Sequence, residues 1–310
     1  MNLRTYFLPF SVALALSARA SAPVMATGDQ HRVLSVGGAQ VIAILDGVQP
    51  AVSEALTNIE PSQLAETLAK AGQPNPSPSP VNVYVLRLGE RVVLVDAGGG
   101  SILPSYRGTL AATLRALGLA PEKVTDVLIT HMHADHVGGL LDGTKPMYPN
   151  ATVHVHANEA KFWLAPELPS RAPEQFRPLI LAIQSALSPY AQAGRLKAFE
   201  YKAEILPGIV AQDAGGHTPG HAAFLWKQGK ETSLFWGDLI HVADVQLANL
   251  DVGTRYDSKP ADASAMRQRW LSESAQQGWT VLGAHLPYPG VGTIVRDGER
   301  YQWRPIGAGR

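Results

Sequence analysis

The chain predicts an α/β protein, a four-layer αββα sandwich with two β-sheets inside and helices outside. Three observations predict it. Up to residue 95, β-branched runs come in pairs joined by Gly-containing turns; a middle stretch alternates short buried strands with helical patterns; and beyond residue 210 strands, a long helix and strands follow again.

Taken in order, residues 32–36 and 40–45 read as strands joined at Gly37-Gly38, a hairpin signal, with Asp46-Gly47 ending the second. Residues 61–71 carry apolar residues at helical spacing, and 73–80 repeat Pro with Asn and Ser, which reads as a loop without regular structure, of a kind that often covers a site. Residues 81–88 and 91–95 are near-continuous apolar runs split by Gly89-Glu90, a buried hairpin running into Asp96 and Gly98-Gly99-Gly100. Helical spacing returns over 110–117, and 124–129 is a short buried strand. A second half follows: a strand over 151–156, helices over 158–164 and 173–187, strands near 210–212, 222–226 and 233–236, a helix over 262–277, and strands near 281–282 and 291–295. No repeat of short fixed period is present.

A chain of 310 residues, 45% hydrophobic, can bury a full core. Its 26 basic and 26 acidic side chains cancel, which leaves no net field for holding a polyanion, so nucleic acid is not an expected partner. The absence of cysteine removes disulfides, thiolate metal sites and a cysteine nucleophile, and leaves His and carboxylates as the strong metal ligands. At the start, Arg4, an apolar run over 6–16 and Ala18-Arg19-Ala20 form a signal-peptide pattern, with Ala20, Ala22 and Ala26 all small enough for the cleavage position. We therefore expect residues 1–26 to be a leader and 27–310 a single domain, periplasmic or secreted. The apolar run is shorter than the roughly 20 residues that span a bilayer, so no membrane association is expected after cleavage.

The chemistry concentrates after the strand at 124–129, in Thr130-His131-Met132-His133-Ala134-Asp135-His136. Two-residue spacing on extended chain turns His131, His133 and Asp135 toward one side, and His136, where the chain can turn toward Gly138-Gly139, approaches from a second direction. Four ligand-type residues in six positions at a strand end point to metal, and one loop can serve two adjacent ions. Three later residues at strand ends fit as further ligands: His217 in GHTPGH, Asp238 in WGD and His285 in GAH.

Asp96 after a strand, the HxHxDH run, GHTPGH, GD and a late AH resemble the five successive motifs of metallo-β-lactamase-fold hydrolases, and the likeness covers roughly residues 31–305. In flanking detail, THMHADHVGG, KFWL at 161–164 and GDLI are similar to methyl parathion hydrolases and their quorum-quenching lactonase relatives. The resemblance implies that His131, His133 and His217 hold one metal, that Asp135, His136 and His285 hold the other, and that Asp238 bridges both. Asp96 and His221 would then support ligands from behind. Two divalent ions, zinc first among zinc, manganese, cobalt and iron, would share a hydroxide of near-neutral pKa that attacks a small-molecule substrate. The expected reaction is the opening of lactones or the cleavage of aryl esters and phosphotriesters, since no ligand is a strong general acid; a β-lactamase or another thioester or ester hydrolase of this fold is the alternative. Relatives are commonly dimers, which implies a homodimer.

His241 stands three residues after Asp238, where acyl-homoserine lactonases carry a Tyr that contacts substrate. It is read as a proton donor or oxyanion contact, or as a pocket wall. Trp163 is read as pocket lining by resemblance or as core by residue type. His154 and His156 share one strand face without an acidic partner beside them in sequence, and are expected to be structural or exposed.

Overall fold

Side-chain alternation along the strands decides the layering. In the strand Ala39–Gln49, Val41 and Ala43 enter one buried cluster while Ile42 and Ile44 enter another, as a period of two requires. A strand apolar on both faces must be covered on both. The computed structural model describes residues 30–102 and 108–306, so the expected leader at 1–26 lies outside the described residues.

Each of the two large sheets has seven strands and comes from one continuous part of the chain; two further two-stranded pairings, Leu56–Thr57 with Gly253–Thr254 and Leu141–Asp142 with Lys145–Pro146, lie outside them. The first contains β1 (His31–Val36), β2 (Ala39–Gln49), β3 (Ser79–Leu88), β4 (Arg91–Val95), β5 (Asp126–Leu128), β6 (Thr152–His156) and β7 (Leu196–Phe199), side by side in chain order. β1 to β4 pair antiparallel, and β4 to β7 pair parallel. The second contains β8 (Glu204–Leu206), β9 (Ile209–Asp213), β10 (Ala222–Gln228), β11 (Glu231–Phe235), β12 (Thr280–Leu282), β13 (Val291–Asp297) and β14 (Arg300–Pro305), with β11 and β12 its one parallel pair among the described residues.

Parallel neighbours need crossovers, and the helices supply them. Ahead of the core strands lies α1 (Pro61–Lys70); α2 (Leu110–Ala116) links β4 to β5, α3 (Ala134–Val137) lies between β5 and β6, α4 (Ala157–Trp163) and α5 (Arg177–Gln192) link β6 to β7, and α6 (Pro260–Gln277) links β11 to β12. Between the sheets, Tyr84, Leu86, Val93 and Val95 meet Phe224, Trp226, Phe235 and Leu282. Outside the first sheet, Leu114 of α2 and Ile183, Leu187 and Tyr190 of α5 cover Val85, Leu94, Val127 and Val153. Outside the second, Trp270 and Leu271 of α6 cover Ala223, Leu234 and Val281. The four-layer αββα sandwich follows from these three apolar interfaces.

Several expectations need correction. β2 does not end at Asp46-Gly47 but runs to Gln49 through an irregularity between Leu45 and Gly47, where Asp46 turns aside to accept hydrogen bonds from the backbone N–H groups of Gly99 and Leu110. Ser79 and Pro80 belong to β3, not to a loop. The helix expected over 173–187 starts at Arg177, after a short 3-10 turn, and continues to Gln192. β7, β8 and β14 were not expected; β7 and β8 are short edge strands, and β14 alternates charged and polar residues with one buried Tyr301, so none offers an apolar run. Among the described residues no helix is long and apolar enough to cross a membrane.

Candidate metal centre

Backbone turns at one rim of the sandwich bring the ligand-type residues together. After β5 the chain stays extended only through His133, which caps α3; Asp135 then lies in the first turn of that helix beside His136. The spacing argument, which placed Asp135 with His131 and His133, is therefore corrected: the helical turn swings it to the other side. His217 sits in the turn between β9 and β10, Asp238 follows β11 and His285 follows β12.

Two groups result, His131, His133, His217 and Asp238 in one and Asp135, His136, His285 and Asp238 in the other, with the candidate ligand atoms of each within 4.8 Å of one another. Asp238 belongs to both: Oδ2 lies 3.4 Å from His217 Nε2, 3.5 Å from His131 Nε2 and 3.1 Å from His285 Nε2, while Oδ1 lies 3.1 Å from His136 Nε2. His136 Nε2 and Asp238 Oδ1 are fully buried and make no aligned hydrogen bond. Five imidazoles and two carboxylates whose free lone pairs converge in a buried space fit a dinuclear metal site.

Four of the imidazoles are held on their far nitrogen. His131 Nδ1 is 3.1 Å from Thr130 Oγ1, His136 Nδ1 2.8 Å from Asp96 Oδ2, His217 Nδ1 2.8 Å from Asp257 Oδ1, and His285 Nδ1 2.7 Å from the Pro80 carbonyl. Such partners fix ring orientation and raise the basicity of the metal-facing nitrogen. Asp96 also accepts from the Thr130 N–H at 2.8 Å, and its backbone takes the left-handed conformation at φ 62° to reach both. Gln49 donates to Asp135 Oδ2 at 2.6 Å. His221 faces away from the ligand atoms: its Nδ1 lies 2.9 Å from the Ala214 carbonyl, and its Nε2 accepts the Asp238 N–H at 3.2 Å.

His241 is buried beside the centre. Its Nε2 is 3.2 Å from Asp238 Oδ2, and its ring stacks on that of His285 with centroids 5.0 Å apart. Trp163 is 6% exposed and belongs to the outer core of the first sheet, with its ring edge-on to His133 at 5.7 Å. Phe162 instead lines a separate cleft of about 580 Å³ with Lys161, Pro219 and Met266. The expectation that His154 lacks an acidic partner is overturned: its Nε2 lies 3.0 Å from Asp126 Oδ1, across neighbouring strands, and the ring is structural. His156 is buried and caps α4 by accepting from the Asn158 N–H.

Charge follows from this packing. Burial pushes His131 and His133 well below the ordinary range, so both are neutral. Burial acts the same way on His217 and His285, but carboxylates outweigh it: Asp238 and Asp257 raise His217 to about 9, and Asp238 and Asp135 raise His285 to about 10. Burial opposes ionisation of Asp257 as well, yet its bond to His217 and the nearby Arg267 hold it at about 2. Burial lowers His241 to about 4 and His221 to about 3.

A family model described as the metallo-beta-lactamase superfamily matches residues 76–285. The chain belongs to that superfamily. Among solved structures, this metallo-beta-lactamase superfamily member is similar to hydrolase AbOPH of the beta-lactamase superfamily, with TM-score 0.84 and 31% identity over 91% of this chain and 99% of the other. The dizinc quorum-quenching lactonase AidC shares the fold, with TM-score 0.82 and 24% identity over 90% of this chain and 98% of the other. Among curated relatives, an atrochrysone carboxyl ACP thioesterase of Passalora fulva is 26% identical over 51% of this chain and 38% of its own length. Hydrolase neighbours and the clustered ligands together support a metal-dependent hydrolase.

Sequence reasoning missed Asp257, Gln49 and the Pro80 carbonyl. None stands in a recognisable spacing: Asp257 is 40 residues from His217 and Pro80 is 205 from His285, so their contacts exist only through the fold.

Proposed function

We propose that this superfamily member hydrolyses small lactones first, and aryl esters or phosphotriesters that fit the same apolar wall. The observation that carries this reading is His241, the imidazole beside Asp238 that stands outside both ligand groups: burial lowers it to about 4, so it is neutral and is no strong acid toward a leaving group. Such a centre favours leaving groups that depart as anions, a phenolate or the alkoxide of an opened ring.

Two divalent ions, when bound, supply Lewis-acid polarisation of the substrate oxygen and a water ionised near neutral pH. The residues do the rest. His131, His133 and His217 would hold one ion, Asp135, His136 and His285 the other, and Asp238 both. His241 would orient Asp238 through Nε2 and hold a proton on only one ring nitrogen. Trp163, edge-on to the half-buried His133, offers an apolar surface for an acyl or aryl group.

A second reading, thioester hydrolysis, draws support from the thioesterase named among the curated relatives, and a thiolate is also a stable anionic leaving group. The test is metal-loaded protein assayed in parallel on an acyl-homoserine lactone, an aryl ester, methyl paraoxon, an acyl thioester and a cephalosporin. The highest kcat/KM on the lactone supports the first reading, and dominance of any other substrate replaces it. Export belongs to the same proposal: the mature N-terminus recovered from a periplasmic fraction should lie just after Ala20, Ala22 or Ala26, and an intact Met1 would refute it.

A further inference from the structure

Glu159 is a carboxylate that the ligand account leaves unused. It is 1% exposed, in the first turn of α4, and touches no candidate ligand atom. Its Oε2 accepts the Met132 N–H at 2.8 Å and the Trp163 Nε1–H at 3.0 Å, and its Oε1 accepts the Gly220 N–H at 2.7 Å. Met132 is the residue between His131 and His133; Gly220 closes the turn that carries His217; and Trp163 stands edge-on to His133. All three bonds therefore reach ligands of one group, and none reaches Asp135, His136 or His285.

The neighbourhood leaves no slack. A Cβ on Gly220 would lie 2.7 Å from the Glu159 backbone nitrogen and 2.7 Å from His156 Nδ1, so glycine lets the His217 turn close onto the start of α4. His156 in turn fixes that start through the Asn158 N–H at 3.2 Å.

We infer that Glu159 is a positioning residue for one half of the centre: it clamps the 131–133 loop to the 217–220 turn so that His131, His133 and His217 converge on a single ion. The inference rests on the two-metal reading above and not on the choice of substrate. A carboxylate suits the task because all three donors are fixed N–H groups and it offers only acceptors. Glutamine of the same shape must aim its NH2 at one of those donors, which opens the clamp on that side.

The experiment is titration of metal-free protein with Zn²⁺, comparing wild type with Glu159→Gln. Wild type should take up two equivalents. Glu159→Gln should keep one at wild-type affinity and bind the other about 10–100-fold more weakly, the range seen when a partner behind a ligand is removed. Adding His217→Ala should leave the tight equivalent, and adding His285→Ala should abolish it. Excess Zn²⁺ should restore kcat with KM unchanged, which a role in folding alone would not give. Two equivalents at wild-type affinity, or both weakened equally, overturn the inference. If Glu159→Gln does not fold, Trp163→Phe removes one donor and keeps the ring; it should weaken the same equivalent to a smaller extent, and unchanged or evenly weakened binding overturns the inference in that variant. Uptake of fewer than two equivalents by wild type would instead refute the two-metal reading.

Discussion

Asp238 and His221 stand in different places at the candidate centre. Asp238 meets residues of both groups, Oδ2 facing His131, His217 and His285 and Oδ1 facing His136, so Asp238→Asn should loosen metal binding and cost several orders of magnitude in rate. The ring nitrogens of His221 bond the Ala214 carbonyl and the Asp238 N–H, and its ring packs edge-on against His131 and His217, so His221→Ala should cost about 1–3 kcal/mol for the unsatisfied donor and leave two ions bound. Equal losses of rate in the two variants would contradict the assignment. The protons matter at the same scale. His217 rises from 6.5 to about 9 in the metal-free protein, so the stability its proton contributes is fully present below 6.5 and is lost as pH rises through about 9. An ion needs the neutral ring, so metal binding must expel that proton and affinity should increase with pH across this window. Equal affinity at pH 6.5 and 9 would show that His217 is not a ligand.

At the scale of elements, residues 73–80, which run from a loop into β3, hold the centre from behind. Ser77 N–H bonds Ser53 Oγ at 2.7 Å, Ser79 Oγ bonds the His241 carbonyl at 2.9 Å, and the Pro80 carbonyl holds His285. Deleting 73–80 should therefore lower metal content as well as alter substrate preference, and unchanged metal content would restore the simpler role of a cover. Gly138 shows a second constraint, since an added Cβ would lie 2.0 Å from the Gly99 carbonyl oxygen. Gly138→Ala should cost several kcal/mol or prevent folding, read by urea denaturation. How much of this was legible depends on range. Strands with apolar β-branched runs, such as β3 and β4, announce themselves through period and residue type, and the ligand-type residues that gather at the centre stand out through motif spacing at strand ends. Asp135 was misplaced by geometry because a helix begins at Ala134, where the local sequence reads equally as extended chain. Glu159 and Asp257 left no trace, because a carboxylate that accepts distant N–H groups has no periodicity to reveal it.

For the whole molecule, the centre ties the two sheets together: His131, His133, Asp135 and His136 follow the first sheet's β5, and His217, Asp238 and His285 come from the second. Metal should therefore stabilise the fold as a unit. Free metal at about 1,000 times Kd adds about 4 kcal/mol per site, which for a domain of this size is on the order of 10 °C in Tm. Chelation should remove that increment, and an unchanged Tm would place the ions outside the sandwich core. The most direct test adds zinc in steps to metal-free wild-type protein and follows hydrolysis of the lactone at each step. The account predicts negligible rate without metal and a plateau at two equivalents; full rate in the metal-free protein, or a plateau at one equivalent, would contradict it.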